Sequence, residues 1–140
     1  MCTFSYFLWQ GLSLFFYMNV EIIIQTLNEL VHQEAFLLAE HLILQHPQYH
    51  QNIAFNDVYA TVLYFLDKHT QALAILDFNI ERILHHKANE SWLIASYFQK
   101  ANCYLALNNT QKAHYYFQKV LDTQDVSSPL HQEINQLLFV

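Results

Sequence analysis

The chain has 140 residues, of which 54% are hydrophobic and 13% charged, with a single Gly and two Pro. That length supports one domain with a continuous core, and long periodic segments with so few breakers point to an all-α fold. The formal net charge is -6, and Lys68, Arg82, Lys87, Lys100, Lys112 and Lys119 are scattered singly, so no basic stripe awaits a phosphate backbone and nucleic acid is not an expected partner.

Residues 1–20 carry no charge and are strongly apolar, with Phe4, Phe7, Leu8, Trp9, Leu12, Leu14, Phe15 and Phe16 among them. A membrane span needs about 20 apolar residues, and Gln10, Gly11 and Asn19 interrupt this one. No basic start or small-residue cleavage site marks a signal peptide. Residues 1–18 therefore form an N-terminal extension with three open readings: an anchor, an apolar helix packed on the first hairpin, or an upstream stretch before a start at Met18. A membrane is an expected partner only under the anchor reading.

From Glu21 to Val31, apolar residues at Ile23, Ile24, Leu27, Leu30 and Val31 recur at helical spacing and predict a first helix. Glu34 to Gln45 repeats the pattern with Ala35, Leu38, Ala39, Leu42 and Ile43 facing inward, and Pro47 stops it. A third helix spans Ile53 to Leu66 behind Asn52 as N-cap. Asp67-Lys68-His69 then makes a turn, with Thr70 as cap of a fourth helix, Gln71 to about His85, that buries Ala72, Leu73, Ile75, Leu76, Ile80 and Leu84. After Lys87-Ala88-Asn89, the stretch Glu90–Leu107 and Gln111–Leu121 reads as two antiparallel helices joined by Asn108-Asn109-Thr110. Ala101 and Ala113 stand where those two helices touch, with Tyr97, Tyr104 and Phe117 filling the space around them. A polar tail leads to a last helix from Pro129, whose Ile134, Leu137 and Leu138 can cap the open end.

Three helical hairpins thus succeed one another over residues 19–125, with residues 126–140 as a capping helix. Aligned on Ala35, Ala72 and Ala113, they repeat at intervals of 37 and 41 residues. This resembles the tetratricopeptide repeat, whose period is about 34 residues and which places small residues at the helix crossing. The resemblance implies a right-handed stack of about three hairpins with a concave face lined by the first helix of each. Lys100 replaces the leucine usual before Ala101, and Asp125 stands where a proline is usual.

The segments QTLNELVHQEAFLLAEHL, DVYATVLYFLDKHTQALAIL and ASYFQKANCYLALNNTQKAHYYF are, further, similar to the N-terminal repeats of anaphase-promoting complex scaffold subunits of the third- and seventh-subunit types. The matching residues include Gln25, Leu27, Asn28, Ala35, Ala39 and Glu40, then Ala101, Cys103, Tyr104 and Ala113. In that family such repeats form a homodimer interface within a ubiquitin-ligase scaffold. Those subunits carry a long further array of repeats, which this chain lacks.

Chemistry is sparse. Among nine histidines, His41/His46/His50 and His85-His86 are the clusters, and neither has the i, i+3 or i+4 spacing of ligands on one uninterrupted helix face, so they read as solvated and no metal is expected. There is no GxSxG elbow or phosphate-cradling loop. Cys103 with His114 is better read as a buried core thiol than as a nucleophile, and Asp77 with Glu81 as a solvated face beside Arg82. Cys2 and Cys103 do not form a disulfide framework. A reducing intracellular, cytoplasmic setting is expected, nuclear if the ubiquitin-ligase resemblance holds.

The expected function is therefore non-enzymatic and without cofactors: a scaffold or assembly module that binds a peptide or partner helix. In the repeat register its groove carries Asp57, Thr61, Tyr64, Phe98 and Asn102, flanked by Phe65 and Leu105. Ile22, Ile23, Ile24 and Leu30 make the first hairpin apolar enough to expect self-association, as in a homodimer. A membrane-tethered adaptor and a secretion-type chaperone are the alternatives.

Overall fold

A computed structural model describes residues 19–125 and 127–138. The apolar extension 1–18, with its anchor reading, lies outside the described residues. Those residues form α1 (Val20–His32), α2 (Phe36–Leu44), a 3-10 turn (Pro47–Tyr49), α3 (Ile53–Phe65), α4 (His69–His85), α5 (Glu90–Ala106), α6 (Thr110–Leu121) and α7 (Pro129–Leu138), with no strand among them. The fold is all-α, as expected. No helix among the described residues is long and apolar enough to cross a membrane.

The hairpins α1–α2, α3–α4 and α5–α6 turn in the same way. Each turn has three residues, and the middle one, Glu34, Asp67 or Asn108, sits in the left-handed region with φ 59°. The next amide then bonds back to the carbonyl five residues earlier in the helix: Ala35 to Leu30 at 2.8 Å, Lys68 to Leu63 at 2.9 Å, Asn109 to Tyr104 at 2.8 Å. These are Schellman closures, which satisfy carbonyls that a helix end leaves orphaned. Lys87 (φ 49°) ends α4 the same way, with Ala88 bonded to Ile83. Glycine is the usual residue at this position, and here none of the four is glycine.

Two expectations fail at these turns. Glu34 cannot start a helix while it occupies the left-handed region, so α2 begins at Phe36 with Ala35 as its N-cap. The buried small residue equivalent to Ala72 and Ala113 is accordingly Ala39, which shifts the alignment by one helical turn and shortens the first interval from 37 to 33 residues. Thr70 is not the cap of α4 either, because the helix starts at His69 behind Lys68.

The first helices share another device. Asn19, Asn52 and Asn89 each cap one, accepting a bond from the backbone N–H of Ile22, Phe55 and Ser91, each at 3.0 Å. Such a cap is worth about 1 kcal/mol relative to alanine.

The core lies in three successive layers. Ile23, Leu27, Ala39, Ile43, Phe55, Val58 and Val62 join the first hairpin to α3. Ala60, Leu63, Ala72, Leu76 and Cys103 carry the packing onward, and Ala101, Ala113, Phe117, Val120 and Ile134 close it. Ile134 of α7 is fully buried against α5 and α6, so the terminal helix does cover the last hairpin. Successive first helices pack directly, α1 on α3 and α3 on α5, whereas α2, α4 and α6 make at most marginal contact with one another.

Burial corrects several assignments. Ile23 is completely buried and unavailable as a surface contact; Ile24 and Leu30 are partly covered, and only Ile22 stays exposed. Leu38 and Leu84, expected inside, are exposed, and Ile83 takes the inward position on α4. His46 is buried with its ring stacked on Tyr49, and His50 packs on Phe55 and Tyr59, so these two are not solvated. Asp77 is not merely a solvated neighbour of Glu81, because it pairs with Lys100.

Candidate functional site

Four of the five expected groove residues meet in one place. Thr61 and Tyr64 at the end of α3 and Phe98 and Asn102 in the middle of α5 line a cleft of about 150 Å³, together with Phe65 and Gln99. The direct packing of α3 on α5 creates this cleft, and Gln99 of α5 hydrogen-bonds Asp57 and Thr61 of α3 across the contact. Leu105, one turn further along α5, is not part of its lining.

Its aromatic walls are fixed from behind. Phe65 stacks on Phe36 of α2 with ring centroids 4.7 Å apart. Tyr64 meets His69 edge to face at 5.0 Å, and Phe98 meets Phe117 at 5.9 Å. Rings held by such contacts keep their orientation without a ligand, which lowers the ordering cost of binding.

Asp57 lies one layer behind the lining. Its Oδ1 accepts a hydrogen bond from Gln99 Nε2 at 2.6 Å, while Gln99 Oε1 accepts from Thr61 Oγ1 at 3.2 Å. Burial raises the Asp57 carboxyl, and although the Gln99 bond pulls the other way the net pKa is about 6. The amide of Gln99 thus links a desolvated carboxyl to the cleft wall. Gln99 is absent from the sequence-derived groove, although its position between Phe98 and Asn102 on the same face is a usable signal.

A broader, shallower depression of about 610 Å³ lies beside α1 on the same wall of first helices. Glu21, Ile24, Gln25, Asn28, Glu29, His32 and Gln33 line it with Ala54 of α3. No Lys or Arg lines either cleft. The polar stripe Glu21, Gln25, Asn28, Glu29, His32 recurs at i, i+4, i+7, i+8 and i+11, a legible signal for this half of the wall that the sequence-derived groove omits.

Of the four residues expected to drive self-association, Ile22 is surface, Ile24 lines the broad depression, Leu30 is half covered and Ile23 is core. The uncovered apolar surface instead centres on α2, where Leu37 is 74% exposed, Leu38 57% and Leu44 58%.

Cys103 is a buried free thiol whose pKa rises to about 11 through desolvation, which holds it protonated and unreactive. Among the described residues no group of three or more His, Cys, Asp and Glu could hold a metal ion.

The chain matches no protein-family model, no curated protein and no solved structure.

Proposed function

We propose that this chain is a non-enzymatic protein-protein interaction module, a right-handed stack of three tetratricopeptide-like hairpins with a capping helix. An extended peptide segment binds along its wall of first helices. The observation that carries this reading is the convergence of Thr61, Tyr64, Phe98 and Asn102 on one pre-oriented cleft between α3 and α5. Rings supply area and amides hold a peptide backbone, the usual division of labour in such grooves. The packing of first helices on one another, without matching contact among the second helices, favours a curved stack with this wall inside. The test is selection of short peptides from a displayed random library. Tyr64→Ala combined with Asn102→Ala abolishes capture while the far-ultraviolet circular dichroism stays unchanged. Retained capture by this variant places binding elsewhere and removes the reading.

A second reading, self-association of an assembly subunit, is favoured by the exposed leucines of α2. A large exposed apolar patch is ordinarily covered, and Leu37, Leu38 and Leu44 lack a cover among the described residues. The resemblance to anaphase-promoting complex scaffold subunits points the same way. Native mass measured across a dilution series tests it: a second copy on this face gives a dimer that Leu38→Glu dissociates.

A further inference from the structure

We propose that the α3–α5 cleft is the binding site for one cationic side chain, lysine or arginine, of a partner polypeptide. The inference rests on the groove reading above and specifies its chemistry.

Three aromatic rings, Tyr64, Phe65 and Phe98, line a space the size of a single side chain. Aromatic faces carry partial negative charge and attract an ammonium or guanidinium group. Elsewhere the chain uses this attraction on its own cations. Lys100 lies 4.2 Å from the Tyr116 ring centre, and Arg82, Lys112 and Lys119 also lie over rings, while Lys68 pairs with Glu40 at 2.7 Å. The cleft rings are different, because no described Lys or Arg lies over them, and the one basic side chain beside them, His69, meets Tyr64 edge to face.

The same holds for the carboxylate behind them. Asp57 is desolvated, and among the described residues its only side-chain partner is Gln99, with no ion pair to any Lys, Arg or His. A buried charge without a counter-ion is costly, and a cation from outside would relieve that cost. Gln99 and Thr61 stand both in the cleft wall and in hydrogen-bond contact with Asp57, so they connect the entrant to the carboxylate.

Other occupants fit less well. An aliphatic side chain would cover the side-chain carbonyl of Asn102, a residue whose amide nitrogen alone is bonded, to Phe98 O, and would leave the Asp57 carboxylate without a counter-charge. An acidic one would meet Asp57, with Glu21 and Glu29 further along the same wall and no Lys or Arg in either lining. The charge of the whole wall is complementary to a basic peptide.

The test selects a displayed random-peptide library in parallel against the full chain and against its Asp57→Asn and Phe98→Leu variants, each checked for unchanged circular dichroism. Asn at position 57 still accepts the Gln99 bond, so only the charge is removed. The expected result is enrichment of Lys or Arg at one fixed position on the full chain. Synthetic copies of the enriched peptide then bind about tenfold more weakly to both variants, and to the full chain when the cation is replaced by norleucine. Enriched peptides without a fixed cation, or with one that is insensitive to Asp57→Asn, overturn this inference and leave the groove reading standing. A cation whose contribution is lost in Glu29→Gln but not in Asp57→Asn places it against α1 and overturns it as well. The absence of any enrichment on the folded full chain overturns both.

Discussion

Lys100 of α5 donates to the carboxylate of Asp77 on α4 while its side chain is only 7% exposed. Its ammonium also bonds Tyr116 Oη at 2.9 Å, so one cation ties α4, α5 and α6 together. Burial alone lowers the Lys100 pKa, but the bonds and charges of Asp77 and Tyr116 outweigh it and leave a net rise. The charged form is thus complete at neutral pH and is lost only in strongly alkaline solution.

The two ends of that pair should respond unequally to mutation. Asp77 is 59% exposed, and Asp77→Asn leaves a buried ammonium without its counter-ion, a loss expected to cost about 2–4 kcal/mol. Lys100→Met removes the charge and refills the space with an apolar chain of similar length, so its cost should stay below about 1.5 kcal/mol. Urea midpoints of the two variants decide the matter, and a larger loss for Lys100→Met would show the ion pair itself to be net stabilising.

Asp57 governs a pH dependence of the same sign, set at a much lower pH and favouring the neutral form instead of the charged one. Its folded pKa of about 6 lies above the usual value of 3.8, so protonation favours the folded state. The stability it contributes is fully present below about pH 4 and is lost as pH rises through 6. Asp57→Asn should therefore stabilise the protein by up to about 2 kcal/mol at pH 7 and by almost nothing at pH 4. Thermal unfolding of both chains at the two pH values reads the difference directly. Equal shifts at both would show that Asp57 is already ionised without penalty. If the cleft takes a cation, the stabilised variant is also the weaker binder, a trade common at binding sites.

How much of this is legible in the sequence depends on how local each signal is. Helix existence shows in the periodicity, and Thr61, Tyr64, Phe98 and Asn102 can be grouped because residues on one helix face are fixed by spacing alone. The turns are less readable, since Glu34, Asp67, Lys87 and Asn108 adopt a conformation that glycine would have advertised. That silence displaces the first repeat by a turn, from Ala39 to Ala35. Gln99 and Asp57 depend on a contact across 42 positions, and Lys100 with Asp77 on one across 23, which no single helix pattern reveals. The outward leucine Leu38 of α2 reads as core because its helix has hardly any polar residues to mark its solvent side.

The left-handed residues make a third test. A non-glycine side chain in this region costs about 1–2 kcal/mol, less for Asn and Asp than for Glu. Glu34→Gly should raise stability by about 1 kcal/mol, and Asn108→Gly by roughly half of that. Chemical denaturation checks both. A loss on Glu34→Gly would mean that the flexibility gained by the unfolded chain exceeds the strain relieved.

Two apolar residues of the first hairpin separate folding from association. Ile23 is enclosed by the layer of Leu27, Ala39, Ile43 and Phe55, so Ile23→Glu forces an unpaired charge into a dry core. It should cost more than about 4 kcal/mol and unfold at least the first hairpin. Leu38 points outward from α2, and Leu38→Glu should leave the melting temperature within a few degrees because it removes no buried contact. Any oligomer held by this face should nevertheless dissociate, since a carboxylate would then be trapped in an apolar contact. Native mass and thermal melting measured together on both variants resolve the two effects. An Ile23→Glu chain that melts normally would refute the burial of the first hairpin, and a Leu38→Glu chain that keeps its oligomeric state would move the association surface away from α2.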